Sequence, residues 1–309
     1  MTADPKAENI RGALLMSACM AGFVLNDATI KLTAGNLTLF QVMFLRGIFA
    51  TTFIGLLAWR KRALFVHLSR SDWRALVLRT IGEIGGTLCF LTALFNMPIA
   101  NATAILQALP LVITLGAALF LKHSVGWRRY LAVTIGFAGV LVIVRPGAEG
   151  FNEYAYWAIA AVLFITLRDL VTVRLSAHAP TLFIAFIAAL SIMLVGAGMS
   201  TTVPWKPVAL TDLALLAAAA AFLMFGYLFA IMAMRVGEIA FVSPFRYTIL
   251  LWAIILGVVI YDEIPDRWTI LGASIVILMG IYTFHRERLS RQEAGVQKSG
   301  SVENGKNQG

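Results

Sequence analysis

The chain has 309 residues, of which 60% are hydrophobic and 13% charged, and its mean hydropathy is +0.83. A soluble globular protein has roughly 45–50% apolar and about 25% charged residues. This composition therefore excludes a soluble fold, and it also excludes a disordered chain, a collagen-like chain and a disulfide-rich scaffold. An integral membrane protein is the class that remains.

Ten apolar segments are long enough to cross the hydrocarbon core of a bilayer as helices, which takes about 20 residues each. They lie at 12–32, 38–59, 73–95, 99–121, 126–144, 154–173, 180–199, 211–234, 239–261 and 268–285. The apolar runs are continuous and do not alternate, which is typical of helices and not of a β-barrel. The sequence predicts an all-α membrane protein with ten transmembrane helices.

The distribution of the 25 Lys and Arg residues predicts how the chain is oriented. With the N-terminus inside, seventeen of them fall on the cytoplasmic side, three on the opposite side and five within spans. Because cytoplasmic loops are enriched in Lys and Arg, we expect both termini in the cytoplasm. The net charge of +9 then reflects orientation and contact with anionic lipid, not binding of nucleic acid. Residues 1–11 form a short cytoplasmic N-terminus, and the polar tail, 286–309, is expected to be disordered.

Internal repetition divides the chain into a first half, 12–144, and a second half, 154–285. The Thr-Leu-Phe sequence of residues 38–40 recurs at 181–183, and Trp127 with Gly139 recurs as Trp268 with Gly280. Each half has five spans, an odd number, so the second half must be inverted relative to the first. Two inverted five-helix repeats with a substrate site between them are an architecture of transporters that work by alternating access.

Three short stretches carry a resemblance to a known family: residues 96–102 before span four, residues 237–240 before span nine, and the turn at 262–265 followed by Trp268. In these the chain resembles the drug/metabolite transporter superfamily and, within it, the EamA-type carriers with two inverted five-helix repeats. The resemblance covers roughly residues 10–285 and implies a carrier in the inner membrane of a bacterium. Lys122 and His123 depart from it, since many members have an acidic residue there.

Ionisable side chains within a span are costly unless they face protein or water, so each is a candidate functional residue. The five cations outnumber the three anions, and the set is Asp27, Lys31, Arg46, Arg79, Glu83, Arg168, Asp169 and Arg246. Asp27 and Lys31 lie four residues apart, and this spacing predicts either an ion pair within the helix or a role in binding or gating. The same spacing in Arg79 and Glu83 predicts either a structural pair or a carboxylate that faces the central cavity.

Arg46 and Arg246 have no carboxylate at helical spacing on their own spans. Arg246 follows Pro244, which removes a backbone donor and loosens the helix, so we expect it either to contact the substrate or to pair with Asp169 or Glu83. Neutral hydrogen-bonding and aromatic side chains complete the candidates for substrate binding or gating. These candidates are Asp27, Arg46, Glu83, Gln107, Asp169, Arg246 and Tyr247.

A secondary transporter is the function that these patterns favour, over a membrane-embedded enzyme, a primary pump or a channel. The sequence has no metalloprotease, serine-hydrolase or nucleotide-binding motif, so we expect no enzyme activity, no metal and no cofactor. The expected partners are a small-molecule substrate and the lipid bilayer, with a homodimer left open. The cationic excess argues against a multiply cationic substrate, and the aromatic residues together with neutral donors favour a flat, polar, hydrogen-bonding metabolite. Residues 26–27 and 244–247 resemble those of carriers for riboflavin-like vitamins and for S-adenosylmethionine. Riboflavin uptake is the first expectation, and the alternatives are S-adenosylmethionine, an amino acid or a drug, including their export.

Overall fold

The computed structural model of the chain describes residues 5–64, 66, 68–120, 127–145, 152–176, 179–236, 239–283 and 285. Over this range, eight helical segments are long and apolar enough to cross a membrane, and two shorter apolar helices accompany them. The prediction of an all-α, ten-span membrane protein is therefore confirmed. The helices are α1 (Pro5–Lys31), α2 (Leu39–Arg60), α3 (Arg70–Asn96), α4 (Ile99–Leu106), α5 (Leu109–Phe120), α6 (Trp127–Val144), α7 (Ala155–Thr172), α8 (Thr181–Ser200), α9 (Leu210–Val236), α10 (Ile239–Val242), α11 (Thr248–Tyr261) and α12 (Arg267–Thr283).

Spans four and nine are interrupted. The sequence predicted a continuous helix for span four and a helix loosened at Pro244 for span nine. Span four is divided between α4 and α5, with Pro110 just after the interruption. Span nine is divided by a 3-10 helix at Ser243–Tyr247, which contains Pro244. Proline lacks the amide hydrogen that a continuous helix needs, and this explains both interruptions. They fall in the first half of equivalent spans, as expected for two copies of one plan.

The two halves pack through antiparallel helix pairs. Helix α1 lies along α9, α3 along α7, and α2 along α8, while α6 crosses α12. If the equivalent spans of the two halves are exchanged, the α1–α9 pair becomes the α7–α3 pair. The α2–α8 and α6–α12 pairs are converted into themselves. In the α6–α12 pair, Gly139 meets Gly272 and Arg145 meets Asp266, so residue numbers rise along one helix as they fall along the other. This is the contact pattern of two inverted repeats.

The bundle has two opposite faces. The distal face carries residues 32–38, 97–98, 145, 152–154, 201–209 and 262–266, and the terminal face is the opposite one, where α1 begins. At the distal face, Thr38 caps α2: its Oγ1 accepts a hydrogen bond from the amide of Gln41, whose side chain accepts one from the amide of Thr38. This reciprocal cap satisfies two amides that the start of a helix leaves unpaired. Four parts of the sequence analysis lie outside the described residues, namely Lys122, His123, 237–238 and 286–309.

Candidate substrate site

Polar side chains from both halves meet in the middle of the bundle. Three acids, three arginines and one phenol make up this group, hereafter the polar cluster. Its members are Asp27 of α1, Arg46 of α2, Arg79 and Glu83 of α3, Arg168 and Asp169 of α7, and Tyr227 of α9. Formal charges in the polar cluster therefore balance, with three of each sign.

Glu83 connects the halves at the centre of the polar cluster. Its Oε2 lies 3.3 Å from Nη2 of Arg79, and its Oε1 lies 3.4 Å from Nη1 of Arg168. Arg168 also donates from Nε to Oδ1 of Asp169 at 2.8 Å. A Cβ at Gly82 would lie 2.8 Å from the carbonyl oxygen of Phe164, so glycine lets α3 and α7 approach closely enough for these pairs. The predicted pair of Arg79 and Glu83 is confirmed, and Glu83 has a second partner across the interface.

Asp27 and Arg46 also belong to the polar cluster, but neither forms an ion pair with the described residues. Asn26 donates from Nδ2 to Oδ1 of Asp27 at 2.8 Å. Arg46 interacts electrostatically with Asp27, Tyr227 and Glu83. Its Nε is buried without a hydrogen-bond partner, and none of the described residues forms an ion pair with its guanidinium. Two opposite charges thus interact electrostatically without forming an ion pair with each other.

The polar cluster extends through most of the depth of the bundle. Asp27 lies about one turn before the distal end of α1, and Asp169 lies about one turn before the terminal end of α7. Tyr227 is 53% exposed, and its hydroxyl interacts electrostatically with Glu83 and three arginines, so its ring lies at the edge of the polar cluster. Charged groups at this depth are tolerated where they face protein or water, and here they face one another across the two halves.

Lys31 does not form the ion pair with Asp27 that the spacing suggested. Its Nζ lies 2.5 Å from Oε1 of Glu263 and donates to the carbonyl of Met97 at 2.8 Å. The other oxygen of Glu263 accepts a hydrogen bond from the amide of Ile99, at the start of α4, at 2.9 Å. The side chain of Lys31 thus extends to the distal face, where it has two acceptors. The cationic excess counted over the spans does not extend to the polar cluster, because neither Lys31 nor Arg246 belongs to it.

Further contacts join the halves at the distal face. Asn36 donates to Asp212 at 3.0 Å, and Gln41 donates to the carbonyl of Lys206 at 2.8 Å. Arg145 pairs with Asp266 in the same region. Each contact links the first half, or the residue that follows it, to the second half or the residues before its last span, so polar contacts between the halves hold the distal side of the bundle together.

The structure places three of the predicted site residues on the interrupted spans. Gln107 caps the end of α4, and Arg246 is exposed in the 3-10 helix of span nine. Of the two alternatives for Arg246, pairing with Asp169 or Glu83 is wrong, because those carboxylates are paired with other arginines. The Tyr247 hydroxyl packs against Gly280 of α12, where a Cβ would have no room.

The structure brings four of the seven candidates together in the polar cluster: Asp27, Arg46, Glu83 and Asp169. Sequence reasoning did not select Arg168 and Glu263 as partners in these contacts. The pairing of Glu263 with Lys31 could have been considered from the sequence, since the predicted topology puts both residues at the same membrane surface. Arg168 could be selected only with the packing of α3 against α7, which no spacing within one helix reveals.

Comparison with known proteins agrees with this architecture. The model of the EamA-like transporter family matches the chain twice, over residues 10–145 and 153–284. The S-adenosylmethionine uptake transporter of Rickettsia prowazekii is 25% identical over 276 residues, which cover 86% of this chain and 90% of that protein. The riboflavin transporter of Vibrio cholerae is 27% identical over 225 residues, which cover 71% and 74%. A crystal structure with 19% identity superposes with a TM-score of 0.60 over 90% of this chain and 98% of that one, which indicates a shared fold.

Proposed function

Because the chain belongs to the EamA-like transporter family, we propose that it is a secondary transporter that moves a small polar metabolite across a bacterial inner membrane by alternating access. The observation that carries this proposal is the polar cluster, which both inverted halves build at membrane depth. Positively and negatively charged side chains at that depth suit a hydrated path for the substrate. An interface between inverted repeats is where such transporters bind their substrates.

The contacts at the distal face support an alternating mechanism in which that face opens and closes. Lys31 and Glu263 belong to different halves, so a rocking motion of one half against the other must separate them. We propose that the terminal face is cytoplasmic, because most Lys and Arg residues lie on that side. The two repeats are proposed to span 12–144 and 154–285, with Gln107, Arg246 and Tyr247 as gating or secondary contacts on the interrupted spans.

S-adenosylmethionine is the first substrate to test, and uptake is the proposed direction. Support comes from the resemblance to the rickettsial uptake transporter over most of both chains. Support also comes from the balanced charges of the polar cluster, which suit a molecule that carries groups of both signs. Riboflavin is the second candidate because of the resemblance to the Vibrio cholerae transporter. The cationic excess that argued against a multiply cationic substrate is absent from the polar cluster.

Uptake by the purified protein in proteoliposomes tests this function. We expect radiolabelled S-adenosylmethionine to enter saturably, and faster when the vesicles are preloaded with the unlabelled compound. Riboflavin, added as a competitor and then as a labelled substrate, distinguishes the two candidates. Non-saturable flux would indicate a channel, and chemical conversion of the substrate inside the vesicles would indicate an enzyme. Lack of transport of every metabolite in a broad panel would contradict the proposal.

A further inference from the structure

Two charged side chains in the polar cluster are left available by the ion pairs around them. Glu83 uses both carboxylate oxygens, and Arg168 binds both Glu83 and Asp169. Arg46 makes no hydrogen bond with the described residues, and Asp27 accepts only one from them, donated by Asn26. Within the described part of the chain, Arg46 and Asp27 thus stand as a neighbouring cation and anion without partners of opposite charge.

An arrangement of this kind needs a physical reason. A guanidinium that has left bulk water loses hydration, and it normally recovers this free energy through hydrogen bonds to a carboxylate or a carbonyl. Arg46 has Asp27 nearby to pair with, yet the two are not joined directly. Asn26 is one cause, since its amide holds Oδ1 of Asp27 at 2.8 Å and fixes the carboxylate on α1. The unfilled positions are the guanidinium donors of Arg46 and Oδ2 of Asp27.

We propose that Arg46 and Asp27 bind the α-amino acid headgroup of the transported metabolite, with its carboxylate on Arg46 and its ammonium on Asp27. This inference rests on the proposed transport function and specifies the chemistry of its site. A guanidinium presents parallel N–H donors that match both oxygens of a carboxylate, and a fixed carboxylate oxygen accepts from an ammonium. A zwitterion placed between the two side chains compensates both charges at once, which a singly charged ligand does not.

The position of the pair also determines where the rest of the ligand lies. Arg46 faces Tyr227 of the second half as well as Asp27 of the first. Tyr227 is about half exposed and packs edge-to-face on Phe23, so its ring is held in place. A headgroup bound at Arg46 therefore leaves the remainder of the metabolite beside an aromatic surface. Aromatic rings of this kind stack on flat heterocycles.

Binding of three related probes to the purified wild-type protein tests the assignment. The probes are S-adenosylmethionine, its decarboxylated analogue, which keeps the amine but has no carboxylate, and 5′-methylthioadenosine, which has neither group. Competition against labelled S-adenosylmethionine in a scintillation proximity assay gives the three affinities. Loss of the carboxylate should weaken binding about tenfold or more, as expected when a charge-assisted bidentate contact is lost. Loss of both groups should weaken it further.

Substitutions connect each preference to one side chain. Arg46→Gln should abolish the advantage of S-adenosylmethionine over the decarboxylated analogue, because the carboxylate no longer has a partner. Asp27→Asn should weaken both amine-bearing probes relative to 5′-methylthioadenosine. The double variant Asp27→Asn/Arg46→Gln removes both charges together and so leaves no unpaired charge to disturb folding. Matched controls on the same helices are Glu8→Gln in α1 and Arg60→Gln in α2, which are exposed and should bind like the wild type.

The outcomes separate this inference from the transport function. If the wild-type protein transports S-adenosylmethionine and Arg46→Gln retains the carboxylate preference, the headgroup assignment is wrong while the transport function stands. If riboflavin is transported and none of the three probes binds, the assignment is also wrong and the transporter proposal again survives. If no metabolite is transported, the proposed transport function is wrong, and the headgroup assignment that rests on it is wrong as well.

Discussion

Lys31 Nζ lies 2.5 Å from Glu263 Oε1 and joins the end of the first helix to the connection that follows span nine. The second oxygen of Glu263 accepts from the amide of Ile99, so one carboxylate connects the ends of three spans at the distal face. An ion pair that is partly shielded and hydrogen-bonded on both sides contributes more than an exposed surface pair. Lys31 and Glu263 belong to opposite halves, so this contact opposes their separation at the distal face.

Replacing Glu263 by glutamine should favour opening of the distal face. Glutamine retains an oxygen that can accept from the amide of Ile99, but it has no charge for Lys31. Hydrogen bonds to charged groups are worth about 1.5–3 kcal/mol, which corresponds to about tenfold or more in a two-state equilibrium. We therefore expect Glu263→Gln to raise, about tenfold, the rate at which an impermeant thiol reagent added outside whole cells labels Tyr227→Cys. The background for this measurement lacks Cys19 and Cys89, both of which are buried.

The control for that measurement is Gly35→Cys, an exposed position in the distal connection where a Cβ would meet nothing within 4 Å. Its labelling rate should be the same with and without the Glu263→Gln substitution. A failure of Gly35→Cys to react from outside would contradict the proposed orientation. Equal labelling of Tyr227→Cys in both backgrounds would show that the ion pair does not restrain the distal face.

Glu83→Gln should reduce transport and leave membrane insertion intact. The substitution removes the negative charge shared by Arg79 and Arg168, so Arg79 loses its ion-pair partner and Arg168 keeps only Asp169. We expect the maximal uptake rate in proteoliposomes to fall about tenfold or more. The amount of protein in the membrane is measured in parallel, and Glu153→Gln, an exposed change before α7, is the control. A wild-type rate in Glu83→Gln would assign Glu83 a purely structural role.

The sequence was sufficient to predict the fold because lipid leaves few choices. Continuous apolar runs must be helical there, an odd number of spans per repeat forces inversion, and the pairing of α3 with α7 and of α1 with α9 follows that symmetry. The interruption of span nine was predictable from the sequence, because Pro244 lies within it. The interruption between α4 and α5 was missed, since Pro110 follows it and does not lie within it.

The polar cluster was predicted only in part, because several of its side chains pair with residues of other helices. Spacing within one helix identified Arg79 and Glu83 correctly and wrongly joined Asp27 to Lys31. The length of the lysine side chain explains the error: it reaches the distal face, where Glu263 and a carbonyl compete with Asp27. Contacts between helices depend on which faces meet, and the spacing of charges along one helix does not contain that information.

Asp266 should make the stability of the distal face depend on pH. Partial burial raises the pKa of its carboxyl, but hydrogen bonds from Thr269 and the Arg145 guanidinium outweigh that effect and hold the pKa below its ordinary value. A lowered pKa contributes stability that is present above the ordinary value of about 3.9 and is lost as the pH falls through the lower, folded-state value. Asparagine can still cap α12, so Asp266→Asn removes the charge alone.

Melting temperatures of the wild type and Asp266→Asn, measured in detergent, check this dependence. The wild type should be more stable at pH 7 by up to about 1 kcal/mol, as expected for a partly exposed pair. The difference should shrink as the pH falls below the ordinary value for Asp and disappear once the pH is below the lower, folded-state value, since both side chains are then neutral. A difference that persists unchanged at acidic pH would mean that the charge of Asp266 is not its cause.

Gly139 and Gly272 should be essential to the packing of α6 against α12. A Cβ at Gly272 would lie 2.5 Å from the carbonyl oxygen of Gly139, and a Cβ at Gly139 would lie 2.9 Å from that of Gly272. The two backbones are therefore in direct contact, and each obstacle is a carbonyl that cannot move aside like a side chain. In a membrane, where close packing drives helix association, Gly272→Ala should cost about 1–3 kcal/mol.

The thermal unfolding of Gly272→Ala in detergent measures that cost, and Gly198→Ala in α8 is the matched control. A Cβ at Gly198 would have no neighbour within 4 Å, so this change adds only the higher helix propensity of alanine. We expect the melting temperature to fall for Gly272→Ala and to stay level or rise for Gly198→Ala. Equal melting temperatures would show that α6 and α12 do not cross at these glycines, and the pairing of the last spans of the two halves would have to be revised.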